Sequence, residues 1–185
     1  MNSFLSDRKV PLLTVTLAIL AATVFGVVQI VNSDDSKAAP TAQDMAVAHV
    51  RAITAPYQDV SRALADGFIA TEECVSSPEG GMGLHYVNPQ RLKAPLDPEK
   101  PQVLLYSAVN GGLELTGAEW FAPDPDQNLG TDVGRPTLFG NAFQGPMAGH
   151  SAGMPIHFDL HVWSGRANPK GDFSPWNPSI SCAAS

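Results

Sequence analysis

Polar and apolar positions alternate most cleanly over 153–163, GMPIHFDLHVW. Successive strand side chains point to opposite faces, so a β-strand here puts Ile156, Phe158, Leu160 and Val162 on one side. His157, Asp159, His161 and Trp163 fall on the other. A helix opened by Pro155 is the alternative, but the run Ile-His-Phe-Asp-Leu-His-Val-Trp favours the strand. Three further β-like runs lie between turn signals: LHYV (84–87), QVLLYSAV (102–109) and LELTGAEWF (113–121). Asn110-Gly111, between the last two, is a strong hairpin signal.

Upstream the pattern is helical. Thr41 with Asp44 three residues on resembles a capping box, and Pro56 interrupts the helix after Ala55. The segment YQDVSRALADGF places Val60 and Leu64 on one face and ends at Gly67. Residues 41–66 therefore read as one broken helix or two short ones. The spans 88–101 and 122–150, rich in Pro, Gly and Asp, read as ordered loops. The tail NPKGDFSPWNPSISC reads as extended, with Trp176 packed down on the way to Cys182. Helices followed by an antiparallel meander predict an α+β domain. Its N-terminal helices should pack on a small antiparallel sheet or partly closed β-barrel.

Residues 10–31, VPLLTVTLAILAATVFGVVQIV, carry no charge. A helix of that length can cross a hydrocarbon core of ~30 Å. Arg8 and Lys9 precede it and Asp34 and Asp35 follow, so the N-terminus is expected in the cytoplasm and the remainder outside. The expected organisation is a cytoplasmic segment 1–9, a transmembrane signal-anchor 10–31, a linker 32–40 and an extracytoplasmic domain 41–185. That makes a single-pass protein of the cell membrane. A cleaved signal peptide and a secreted product is the competing reading, since SKAAPTAQ offers small residues to a peptidase. Both readings export the domain. The net charge of −7 gives no basic face for nucleic acid.

Cys74 and Cys182 are the only cysteines. In an exported chain this sole pair suggests a disulfide, against the alternative of two buried free thiols. The C-terminal CAAS matches a prenylation pattern, but prenylation needs a cytosolic tail and the topology puts this one outside.

Of five histidines, four lie between 85 and 161: His85, His150, His157 and His161. Met82, Met147 and Met154 lie within a few residues of them. Imidazole with thioether suits copper, whereas imidazole with carboxylate suits zinc, iron or manganese. Alternation over 113–121 puts Leu113, Leu115, Gly117, Glu119 and Phe121 on one face. Glu119 thus points inward, where carboxylates are rarely unpaired, unless it reaches solvent at an edge or pairs with Arg135 or Arg166. The candidate pocket is His85, Glu119, His157, Asp159 and His161, holding a transition metal (copper or zinc) or a small polar ligand. On a straight strand His157 and His161 are ~13 Å apart and cannot share an ion. Asp159, between them, is either a ligand or the acceptor that orients an imidazole. The alternative class is a non-catalytic envelope module, structural or protein-docking, with a buried His/Asp hydrogen-bond network. Enzyme activity is left open, with no nucleophile–base pair to name. GHSAG (149–153) fits G-x-S-x-G but lacks the strand before it and the helix after it. The glycines of EGGMG lack a phosphate-loop helix.

The motifs GMGLHYVNP, GAEWF and GMPIHFDLHVW, with the closing NPKGDFSPWNPSISC, resemble an uncharacterised family of exported bacterial proteins. The resemblance runs from about residue 55 to 182. It implies a single extracytoplasmic domain with Cys74 and Cys182 at the family's cysteine positions and Glu119 within the family pattern. It implies no activity.

Overall fold

The computed structural model describes residues 38–150 and 153–182, within a compact unit beginning at Ala38. Among the described residues no helix is long and apolar enough to cross a membrane. The apolar run 10–31 and Ser151 of GHSAG lie outside them.

Helix α1 spans Ala42–Thr54. Its N-terminus is a full capping box: the Thr41 side chain accepts from Asp44 N while the Asp44 carboxylate accepts from Thr41 N. A 3-10 turn, Ala55–Gln58, begins where Pro56 cannot continue the helix, and α2 follows over Val60–Ala65. Here one expectation fails. Ala63 is buried and Val60 packs beside it, whereas Leu64 faces out at 52% exposure.

The eight strands are β1 (Ile69–Ser77), β2 (Gly80–Val87), β3 (Val103–Val109), β4 (Gly112–Pro123), β5 (Thr137–Leu138), β6 (Asn141–Ala142), β7 (Gln144–Met147) and β8 (His157–Val162); a one-turn helix α3, Pro89–Leu92, follows β2. Six strands form one sheet in the order β1-β2-β3-β4-β8-β7, and β5 and β6 pair separately. Every pairing is antiparallel. β1 and β7 are its two edges, so the sheet is open and not a barrel. Asn110 and Gly111 both have positive φ, 51° and 76°, as the tight turn joining β3 to β4 requires. β1 and the short elements α3, β5, β6 and β7 were not expected; the last four fall in the spans read as loops.

β3 is buried on both faces, which explains its continuous run Val-Leu-Leu-Tyr. Leu104 and Tyr106 join Trp120, Phe158, Leu160 and Val162 under α1 and α2, against Val47, Val50 and Ala63. On the opposite face Val103, Leu105 and Trp163 pack with Ile180 of the tail. The tail is held there by backbone bonds in both directions between Gly81 and Asn177, each 3.1 Å, and by Trp163 Nε1 donating to Ser174 O at 2.7 Å. Trp176 is only half-buried, so Phe173 and Ile180, not Trp176, are the tail's apolar anchors. Cys74 and Cys182 form the disulfide, closing 108 residues of chain. It points to an oxidising, extracytoplasmic compartment.

One irregularity decides where Glu119 goes. Leu105 pairs with Gly117, but Tyr106 pairs with Leu115. Thr116 is an extra residue, a β-bulge. Its Oγ1 donates to Leu105 O and its carbonyl accepts from Gly165 N and Arg166 N. The bulge reverses the alternation: Leu113 and Leu115 pack on the helix side, while Glu119 and Phe121 face the other. The expectation that Glu119 shares a face with the leucines is wrong, although its burial is right.

Candidate metal centre

The pairing of β4 with β8 sets Glu119 opposite His161, Phe121 opposite Asp159 and Pro123 opposite His157. Directly opposed residues present their side chains on one face. The helix-side residues Trp120, Leu160 and Phe158 fix that register, because a one-residue slip would bury the polar row in the apolar core. His85 comes from β2, opposite Leu105, which in turn is opposite Gly117. It must reach across β3, and adjacent strands are ~4.8 Å apart. In line with it stands Gly117, where a Cβ would lie 2.6 Å from Val162 O, so the β4–β8 contact demands glycine.

These elements bring His85, Glu119 and His161 together. One donor atom from each lies within 4.8 Å of the others. His85 Nε2 is 3.4 Å and His161 Nε2 3.7 Å from the same carboxylate oxygen, Glu119 Oε2. Neither contact has hydrogen-bond geometry, as Oε2 has no such partner within the protein. Behind the triple, Asp159 Oδ1 is 3.4 Å from His161 Nδ1, again without hydrogen-bond alignment. His157 stands beyond Asp159, its Nε2 3.9 Å from Oδ2. His157 Nδ1 lies 3.0 Å from Pro155 O. A carbonyl can only accept, so the proton is on Nδ1 and the lone pair of neutral His157 is on Nε2. Phe121 stacks on this imidazole with ring centres 4.8 Å apart.

All five side chains are buried, from 0% exposed at His157 and His161 to 8% at His85. Arg135 and Arg166 are not partners of Glu119. Arg166 pairs with Glu114, and Arg135 with Asp132 and the carbonyls of Phe143 and Gly145. Burial alone would raise the Glu119 carboxyl, but the charge of His161, with His85 and then His157, outweighs it and holds the group below its ordinary range. Burial likewise opposes protonation of His161, but Asp159 and Glu119 on either side prevail and raise it. Opposed shifts of this kind are what buried carboxylates and imidazoles impose on one another, at functional sites and in structural ion-pair networks alike.

Glu119 Oε2, Asp159 Oδ1, His157 Nε2 and both ring nitrogens of His161 are buried without a hydrogen bond in the protein. Such atoms each cost ~1–3 kcal/mol when unsatisfied, and here they converge on one place. Three of the five residues expected in the pocket thus come within joint reach of one ion, and two stand behind or beside them. Sequence reasoning left out two neighbours. Gln144 on β7 is paired with Asp159, and the exposed His150 has its ring 6.3 Å from His85 and 5.8 Å from His157. The four-histidine count was the available signal for His150. Nothing local pointed to Gln144. Comparison of the chain with protein-family models, curated proteins and solved structures gave no match.

Proposed function

We propose that the domain binds one first-row transition ion through His85 Nε2, Glu119 Oε2 and His161 Nε2, with Asp159 orienting His161 from behind. The observation that carries this is the spacing of the donors. Bonds of ~2.0–2.1 Å at tetrahedral angles set donors about 3.3–3.4 Å apart, against 3.4 and 3.7 Å from Glu119 Oε2 to the two imidazoles and within 4.8 Å for all three donors here. His161 presents one ring nitrogen to the triple and the other to Asp159, the arrangement by which carboxylates fix the rotation and raise the basicity of metal-bound imidazoles. Two imidazoles and a carboxylate form a harder donor set than a thioether site, so zinc fits better than copper(I). In this reading the domain is exported and membrane-tethered through the run 10–31.

A buried hydrogen-bond network without metal is the other reading. It is weakened by the convergent nitrogen and oxygen atoms that make no hydrogen bond, because a network retained for structure would satisfy them.

The paired variants Asp159→Asn and Leu160→Val separate the readings. Asp159→Asn is expected to weaken zinc affinity roughly 10–100-fold. Leu160→Val, on the helix side, should cost about 1 kcal/mol of stability and leave affinity unchanged. Competition titration against a chelator and thermal melting of the full-length chain, without a polyhistidine tag, measure both. If Asp159→Asn lowers stability equally with and without zinc and leaves affinity intact, Asp159 has no part in the metal site.

A further inference from the structure

His85, Glu119 and His161 supply three donors, and tetrahedral zinc takes a fourth. Each of the three is at most 8% exposed, and so is Asp159 behind them. His150, by contrast, is exposed. Its ring stands against both His85 and His157, at 6.3 and 5.8 Å between centres. Among the described histidines around the site it is the one in contact with both the cluster and solvent.

Its position has a local cause. The residue follows Gly149, where a Cβ would lie 2.1 Å from Met154 O. The backbone at Gly149 therefore closes on Met154 in a neck that only glycine permits, and His150 is the first residue beyond it.

Distance decides what the imidazole can do. Two imidazoles on one tetrahedral ion have ring centres about 5 Å apart, given nitrogen–metal bonds of ~2.0–2.1 Å. The 6.3 Å between His150 and His85 exceeds this by an amount a side-chain rotation covers. His157 is less suited, because Phe121 stacks on it, Pro155 O holds its Nδ1 and its Nε2 faces Asp159.

We infer that His150 is the fourth ligand of the ion and the one through which it exchanges with solvent. The inference rests on the reading of His85, Glu119 and His161 as ligands. It makes the site a closed four-donor centre for an exchangeable divalent ion, and not an open one holding a water.

Cobalt(II) tests this as a probe, added to the full-length chain in parallel with His150→Ala and Glu119→Gln. The wild type should show the intense visible absorption of a four-coordinate, three-nitrogen site. His150→Ala should bind at least about 10-fold more weakly, release the ion faster to a chelator and give an altered spectrum. Added free imidazole should restore that spectrum, since His150 is exposed and its removal leaves a reachable position. His150→Ala should melt like the wild type when both are metal-free, which separates loss of a ligand from loss of fold. If His150→Ala keeps wild-type affinity, release rate and spectrum while Glu119→Gln fails to bind, the triple is complete without His150 and the inference is overturned. If Glu119→Gln also binds like the wild type, or the wild type does not bind, the underlying site reading falls and takes this one with it.

Discussion

Glu119→Gln is expected to abolish tight metal binding. Oε2 is the oxygen that both imidazoles approach, at 3.4 and 3.7 Å. An amide of the same shape presents at best a neutral, weaker donor to the ion. A loss of at least about 100-fold in affinity is anticipated, beyond the 10–100-fold typical of an outer partner. The change should be read as linkage. At zinc equal to 100 times the wild-type Kd, binding stabilises the folded wild type by about 2.7 kcal/mol. With Kd raised 100-fold, the same zinc gives the variant only ~0.4 kcal/mol. The zinc-dependent rise in melting temperature should therefore nearly vanish, whatever the substitution does to the metal-free protein. A variant that gains as much thermal stability from zinc as the wild type would show that the carboxylate is not a ligand.

The second large effect is on stability. Cys74 and Cys182 close a loop of 108 residues, and in the chain-entropy model a bridge over about 100 residues contributes ~4.7 kcal/mol. Cys74→Ser with Cys182→Ser should cost a large part of that in a urea titration of the full-length chain. The loss should not be uniform. Residues 178–182 are held chiefly by the bridge and by Ile180, which is 4% exposed against Val103, Leu105 and Trp163, with bonds to Asn177 and from Arg166 to Ser179 O beside them. Further back the tail keeps its Gly81–Asn177 bonds and the bond from Trp163 to Ser174 O. Hydrogen exchange should show 178–182 opening first while β3 and β4 stay protected. Uniform loss of protection across the sheet would mean that the bridge supports the core and not the tail.

How much of this was legible depended on where each element sits in the sheet. The inner strands β2, β3, β4 and β8 were readable because burial imposes a pattern on them: alternation in β8, a continuous apolar run in β3. The edge strands were not. β1, IATEECVSS, carries Ile69 at 58% exposure, and β7, QGPM, contains a proline that only an edge tolerates. Without a buried face on both sides neither needs a period. In the site, alternation alone put His157, Asp159 and His161 on one face. Glu119 was the right residue for the wrong reason, since the bulge at Thr116 is a pairing irregularity with no signature in the strand's own residues. That His85 reaches Glu119 across β3, past Gly117, follows from the register of three strands, which no local pattern encodes. The same holds for His150, brought to the pocket by the β7–β8 pairing.

The central claim, that the buried His85, Glu119 and His161 hold an ion, is tested most directly by metal content. The full-length chain, without a polyhistidine tag and recovered from its exported compartment, should carry about one transition ion per chain by element analysis, as the single tetrahedral site requires. After removal by a chelator, its melting temperature should fall and zinc should restore it. A chain recovered free of metal, whose melting temperature ignores added zinc, copper and cobalt, would contradict the claim and leave the polar row as part of the core.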